Sequence, residues 1–378
     1  MNGKPLGWAW PLIAIAGSAQ ADYTLNLTKG VTELSRIVYG FHIYALWICL
    51  GIAVVVFGVM IYSILHFRKS RHPHPEIFHE NAWLEIVWSV IPALILVAIA
   101  VPATKALIRM EDPSGAEMTV KVTGYQWKWH YEYFDDPKFG SEGIQFFSTL
   151  DEASNRARQL GSGIDPEKVP HYLLNVDHPL VLPINTKIRF LFTSADVIHA
   201  WWVPALGWKK DAIPGFITAA WARIDKPGIY RGQCAELCGR DHGFMPIVVK
   251  AVTEEEFRRW VAEQKAKQAK LASGKLTPEE FLARGREVYN AQCAACHQVD
   301  GSGVPGTFPS LKESPIVQGD LETFVERVLK GKGMMPAFGE NANLSDLDLA
   351  AVMTYVRQAF GGLDDRVPQR MVAEKRGH

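Results

Sequence analysis

One short stretch, Cys234-Ala-Glu-Leu-Cys238-Gly-Arg-Asp-His242-Gly-Phe-Met245, gathers two thiols, an imidazole and a thioether. Thiolate and thioether are soft donors that favour copper and zinc, and imidazole accepts either metal. Zinc sites seldom use a thioether, so Cys, His and Met together point to copper in electron transfer, where a weak axial Met accompanies Cys and His. A mononuclear copper site needs only one thiolate. Two of them, at Cys234 and Cys238, can bridge a pair of coppers, each metal then taking one histidine and one weaker donor. That arrangement requires another histidine elsewhere, and Ser194-Ala-Asp-Val-Ile-His199-Ala-Trp-Trp202 offers one. The competing reading is an extracytoplasmic disulfide between the two cysteines, which would leave His242 and Met245 without a role.

A second cluster follows. Cys293-Ala-Ala-Cys296-His297 has the spacing of covalent c-type haem attachment, in which two thiols add to the haem vinyl groups and the histidine ligates the iron. Another axial ligand is expected downstream, and Gly331-Lys-Gly-Met334-Met335-Pro336 offers two methionines; Met–His ligation raises the potential of a cytochrome c. A thioredoxin-like pair would need a surrounding βαβ pattern, and a zinc site a further C-x-x-C or His pair; the sequence has neither. The fifth cysteine, Cys49, lies in an apolar run and reads as a small buried hydrophobe. His72, His74 and His79 fall among prolines and read as a solvated loop rather than a metal site.

These groups need a scaffold and a compartment. The chain has 378 residues, length enough for two or three domains. Its 40 Lys+Arg balance 40 Asp+Glu, which argues against a nucleic-acid partner. Lys4, the apolar stretch 6–16 and Ala19-Gln-Ala21 predict a signal peptide over 1–21. Within a hairpin over 22–105, segments 41–67 and 83–104 are long and apolar enough to cross a bilayer, the second despite Pro92 and Pro102. Arg68, Lys69 and Arg71 put the loop between them in the cytoplasm and both termini outside.

Beyond the hairpin the periodicity changes. Alternation at Val120, Val122, Trp127, Trp129, Tyr131 and Tyr133 predicts strands, and strand signals at 172–176, 180–182, 187–193, 219–224 and 247–252 extend a β-sandwich or barrel over 106–252. The copper loop would join its last two strands. Residues 137–170 read as a polar insertion with no partner legible in the sequence. The charge-balanced segment 253–280 predicts a solvated linker helix with Phe257, Trp260 and Val261 at helical spacing, and Thr277-Pro278 starts the next helix. Residues 281–361 form a compact unit, and 362–378 a polar, disordered tail.

The pattern Cys-x-Glu-x-Cys-x3-His-x2-Met resembles the dinuclear copper (CuA) loop of cytochrome c oxidase subunit II. The C-x-x-C-H unit with Gly301-Ser-Gly-Val-Pro-Gly-Thr-Phe-Pro-Ser-Leu311 looks like a small bacterial cytochrome c, a fusion similar to that of caa3-type oxidases. The resemblance implies a multi-domain membrane protein: a two-helix transmembrane hairpin, a cupredoxin-like Greek-key β-barrel and an all-α cytochrome c domain. It implies copper ligands at His199, Cys234, the backbone carbonyl of Glu236, Cys238, His242 and Met245. For the haem it implies Cys293, Cys296, His297 and Met335, since the family's methionine directly precedes a proline. Trp127, in Gly124-Tyr-Gln-Trp127-Lys-Trp129, matches the aromatic port through which electrons reach the copper. Glu236 matches a residue whose carboxylate reaches a magnesium shared with the catalytic subunit. Glu85 matches the opening of a proton path, although an acid at a helix N-terminus is also favourable by itself. Asp196 and Asp211 are single acids that could tune His199 or help docking.

The implied function is an electron inlet. Electrons pass from haem c to the dinuclear copper and on to a haem of subunit I, where oxygen is reduced to water with proton pumping. The implied partners are subunit I, subunit III, a cytochrome c or other periplasmic donor, and the lipid bilayer. The implied place is the bacterial inner membrane, with the redox domains on the periplasmic side. This chain would be a non-catalytic subunit, because its spans carry only His42 and His66 as possible haem ligands. A quinol oxidase subunit II would lack the copper ligands, and a nitrous oxide reductase would need a propeller for which there is no room. The alternative is a free-standing membrane-anchored electron shuttle, which has no use for Glu85 or for a metal bridge at Glu236.

Overall fold

The computed structural model describes residues 26–74, 79–159 and 161–377; the expected signal peptide lies outside them. The chain begins with two long helices. Helix α1 (Glu33–His66) starts at Thr32, whose side chain accepts from the Ser35 amide while the Ser35 hydroxyl accepts from the Thr32 amide. Helix α2 (Ala82–Glu111) starts at Asn81, which caps the Leu84 amide. Both are long and apolar enough to cross a bilayer, and their apolar side chains are bare along the length. Cys49, expected to be buried, is exposed on α1, on a surface of the kind lipid covers.

Each helix overruns its expected span because one end belongs to the next domain. Leu34 and Ser35 in the first turn of α1 are buried, Val31 N donates to Ala205 O (2.9 Å) and Thr32 Oγ1 to Leu206 O (2.7 Å). At the C-terminal end of α2, Trp221 Nε1 donates to Arg109 O (3.0 Å), and Arg109 pairs with Glu33.

The next unit is built from β1 (Met118–Tyr125), β2 (Lys128–Asp135), β3 (Gln145–Ser148), the short helix α3 (Glu152–Ala157), β4 (Leu180–Pro183), β5 (Ile188–Ser194), β6 (His199–Trp202), β7 (Lys209–Ala212), β8 (Thr218–Ala222), β9 (Gly228–Cys234) and β10 (Pro246–Val252). Among the described residues these strands form two five-stranded sheets, ordered β3-β2-β1-β5-β8 and β4-β10-β9-β6-β7. Strict alternation sends Ile188, Phe190 and Phe192 of β5 inward, where they meet Trp201, Trp208 and the buried Trp129, Tyr131 and Tyr133 of β2. The strand expected over 172–176 is instead a run of turns, with His171 (φ 54°) and Leu173 (φ 60°) left-handed, and only Val176 bridges to Leu150. Strands β3, β6, β7 and β9 carry weaker alternation and emerge only in the pairing.

Helix α4 (Glu254–Ala272) is not a free linker. Phe257 and Val261 are buried in the barrel core beside Tyr133 and Phe139. The last unit comprises α5 (Pro278–Gln292), α6 (Ala294–His297), α7 (Pro315–Gln318), α8 (Leu321–Lys330), α9 (Asp346–Ala359) and α10 (Gln369–Arg376). Helices α5 and α9 cross so closely at Gly285 that a Cβ there would sit 2.2 Å from the Ala351 carbonyl oxygen. The tail expected to be disordered is ordered. Val367 and Val372 are buried, Arg357 pairs with Asp365 (2.7 Å), and Arg376 with Asp346 (2.7 Å). The anchor of its last turn, Asp346, lies 30 residues upstream, so local periodicity could not reveal it.

Candidate copper and haem sites

The copper-type donors converge where β9 ends, where β6 begins and in the loop from β9 to β10. Strand β9 places Cys234 opposite Trp201 of β6, which brings His199 beside it. The two sulfurs are 3.9 Å apart, far beyond a disulfide bond, so both cysteines are free. Cys234 Sγ lies 3.9 Å from His199 Nδ1 and 3.4 Å from Glu236 O. Cys238 Sγ lies 3.4 Å from His242 Nδ1 and 3.5 Å from Met245 Sδ. Each thiol thus has one imidazole nitrogen and one weaker donor beside it.

The surrounding strands fix these donors. Asp196 Oδ1 is 2.9 Å from His199 Nε2, which leaves Nδ1 turned towards the sulfur. The β1–β2 turn clamps both sides: Gln126 N donates to Asp196 Oδ2 (2.7 Å), while Gln126 Nε2 (2.8 Å) and Trp127 Nε1 (3.1 Å) donate to the Cys238 carbonyl. Trp129 Nε1 donates to the Met245 carbonyl (3.3 Å). Burial disfavours the His199 cation, but the bond to Asp196 and the neighbouring Cys234 outweigh it and push the imidazole up to about 9. The bond from Cys238 draws the Cys234 thiol down to about 4 against its burial, with His199 assisting. The Cys238 thiol is pushed up, first by its bond to Cys234 and then by burial. Two thiols this close share their protons, and a nearby cation favours the deprotonated form of both.

The haem-type cluster lines a cavity of about 420 Å³ in the last unit, walled by Cys293, Cys296, His297, Leu311, Phe324, Met335, Phe338 and Val356 among others. Size and apolar lining suit a flat, hydrophobic prosthetic group. His297 Nδ1 donates to Pro309 O (2.9 Å), which fixes the tautomer and leaves Nε2 free as a ligand. Burial raises both the Cys293 and the Cys296 thiols, the opposite of Cys234. Both methionines line the cavity; Met335 is half-buried there and Met334 is 73 % exposed.

The other expected residues divide. Trp127 is half-buried against the copper loop, and Asp196 holds His199. Glu236 turns its carbonyl to the site, while its side chain is exposed. Asp211 is exposed and stands apart. Glu85 sits in the first turn of α2, about 40 Å of helix from the end that touches the barrel. Two residues in the site's surroundings were not foreseen. Arg158, at the end of α3, pairs with Asp241 (3.5 Å) and stacks on Phe244 (4.3 Å), so the polar insertion braces the copper loop. Arg240 reaches across to the haem unit; its one sequence signal was a charge placed between metal-type donors.

Fold and donor chemistry together define a membrane-anchored electron-transfer protein. Residues 118–252 match the cytochrome c oxidase subunit II periplasmic domain, residues 20–106 its transmembrane domain, and residues 280–356 the subunit III of cbb3-type cytochrome c oxidase. The probable cytochrome c oxidase subunit 2 of Rickettsia bellii is 40% identical over 247 residues, covering 65% of this chain and 86% of its own length. The subunit 2 of Cereibacter sphaeroides is 36% identical over 236 residues, covering 61% and 77%. Among solved structures, the periplasmic domain of subunit II of the Bradyrhizobium japonicum cytochrome oxidase is 41% identical and covers 41% of this chain and 99% of its own, with a TM-score of 0.34. The chain belongs to the cytochrome c oxidase subunit II family, and it carries a cytochrome c domain after the subunit II portion.

Proposed function

We propose that this chain is the electron inlet of a haem–copper oxidase, taking electrons at a covalently held haem c and delivering them through a copper pair to a catalytic subunit I. The observation that carries this reading is the convergence of two free thiols 3.9 Å apart, each with an imidazole and a weaker donor beside it. When bound, the haem and the copper pair supply one-electron carriers. His199, Cys234, the Glu236 carbonyl, Cys238, His242 and Met245 hold the copper. Cys293 and Cys296 attach the haem, and His297 and Met335 ligate its iron. Asp196 orients His199, and Trp127, which donates to the Cys238 carbonyl, is the port through which electrons reach the copper loop.

The subunit itself is non-catalytic, and oxygen chemistry belongs to subunit I, with subunit III as a further partner and a periplasmic cytochrome c as donor. Its place is the bacterial inner membrane, with both redox domains on the periplasmic side. The exposed carboxylate of Glu236 is suited to a magnesium at the subunit I boundary, and Glu85, at the opposite end of the hairpin, to the mouth of a proton path. The test is electron paramagnetic resonance on the copper-loaded chain. One unpaired electron shared equally over two coppers is expected, and a mononuclear spectrum refutes the reading. Cys234→Ser should abolish the signal and leave the haem spectrum intact.

A further inference from the structure

The barrel and the haem unit meet along a seam that contains both sets of donors. Arg240 lies two residues from Cys238 and two from His242 in the copper-type loop. Its Nη2 donates to the carbonyl of Ala295 (2.9 Å), the residue immediately before Cys296. The same guanidinium lies 5.5 Å from the Trp127 ring and 5.5 Å from the ring of Phe308, which lines the haem-type cavity. Asp241, itself held by Arg158, fixes the guanidinium from behind (3.2 Å). Lys128 reinforces the seam by donating to Gln292 Oε1 (3.0 Å), and Glu152 of α3 pairs with Arg286 of α5.

We infer that Arg240 is the positioning residue for internal electron transfer, docking the haem-attachment segment onto the copper loop so that the fused domain, rather than a soluble donor, occupies the Trp127 face. The inference rests on the electron-inlet reading above and deepens it. From Cys296 to Cys238 the path is covalent except for the single hydrogen bond from Arg240 to Ala295, and electronic coupling decays more slowly through bonds than through space. One electron leaves the haem iron, which rises by one oxidation state, and the copper pair gains it; no bond breaks and no proton moves. An external donor then has to address the haem unit, because Trp127 lies inside the seam.

The experiment uses the full chain in detergent, loaded with haem and copper, with Arg240→Gln and Arg240→Lys compared to the parent. Losing a charge-assisted hydrogen bond shifts the docked-to-open balance by about tenfold. The same substitution breaks the one bonded route across the seam, which Lys128 and Arg286 cannot replace, so Arg240→Gln should slow transfer from photoreduced haem to copper by up to about that factor, with the copper resonance and the haem potential unchanged. Arg240→Lys, which can still donate to Ala295 O, should recover part of the rate. In the same variant without metals, amide exchange over 290–297 and 239–244 should rise together. An unchanged transfer rate in Arg240→Gln overturns the inference whatever the exchange does. A parent chain lacking the two-copper resonance overturns the electron-inlet reading instead.

Discussion

The tightest constraint on the proposed copper site is the close packing of the His199 ring against Gly124. Gly124 on β1 pairs with Trp129 on one side and Ser194 on the other, with a backbone that alanine adopts freely. A Cβ there would lie 2.7 Å from His199 Cδ2 and 3.0 Å from Cγ. Ordinary contact begins near 3.4 Å, so the ring has to retreat by several tenths of an ångström. His199 is fully buried and held at Nε2 by Asp196 (2.9 Å), so retreat means losing either that bond or the alignment of Nδ1. Overpacking of this kind costs roughly 1–3 kcal/mol. If the ligand bears it, copper affinity of Gly124→Ala falls roughly 5- to 150-fold. If the fold bears it, the metal-free barrel loses the same free energy in denaturant unfolding. The assay is a copper titration against a competing chelator, followed by paramagnetic resonance, beside urea unfolding of the metal-free chain. Parental affinity, spectrum and unfolding midpoint together would mean that the ring has slack that the packing denies it.

Other outcomes follow from single side chains. His130 is buried against Phe147 (4.7 Å), and desolvation holds its imidazole down at about 4, with Glu132 opposing and Lys121 and Lys128 assisting. The folded state therefore binds fewer protons, so its stability is intact above the unfolded value of about 6.5 and is lost as pH falls towards 4, by about 2 kcal/mol at about pH 5. Denaturant midpoints of His130→Phe should vary less over that range than the parent's, and an equal slope would sink the argument. At the haem, Met335→Leu should lower the reduction potential by a sizeable part of the ~0.8 V range that axial ligands span. Met334→Leu should leave the potential unchanged, and the reverse pattern would reassign the ligand.

How much of this was legible in the sequence depended on the range of the interactions. The donor types and spacings of Cys234, Cys238, His242 and Met245, and of Cys293, Cys296 and His297, sit within single loops and could be read directly. So could the apolar spans and the alternation of β2 and β5, because hydrophobic burial imposes a local period. The two long helices extend beyond their apolar spans, since the first turn of α1 and the last of α2 are fixed by the barrel rather than by apolar composition. The ordered tail was missed for the same reason, its partners being Asp346 and the carbonyl oxygens of Gly339 and Leu344, some thirty residues upstream. The insertion that carries Arg158 gave no local sign of what it braces. Donor identity and spacing, both local, are enough to mark which atoms can bind metal and haem. The fold alone sets His199 beside Cys234 from another strand, packs its ring against Gly124 and carries Arg240 to Ala295, because those contacts exist only once distant segments share a surface.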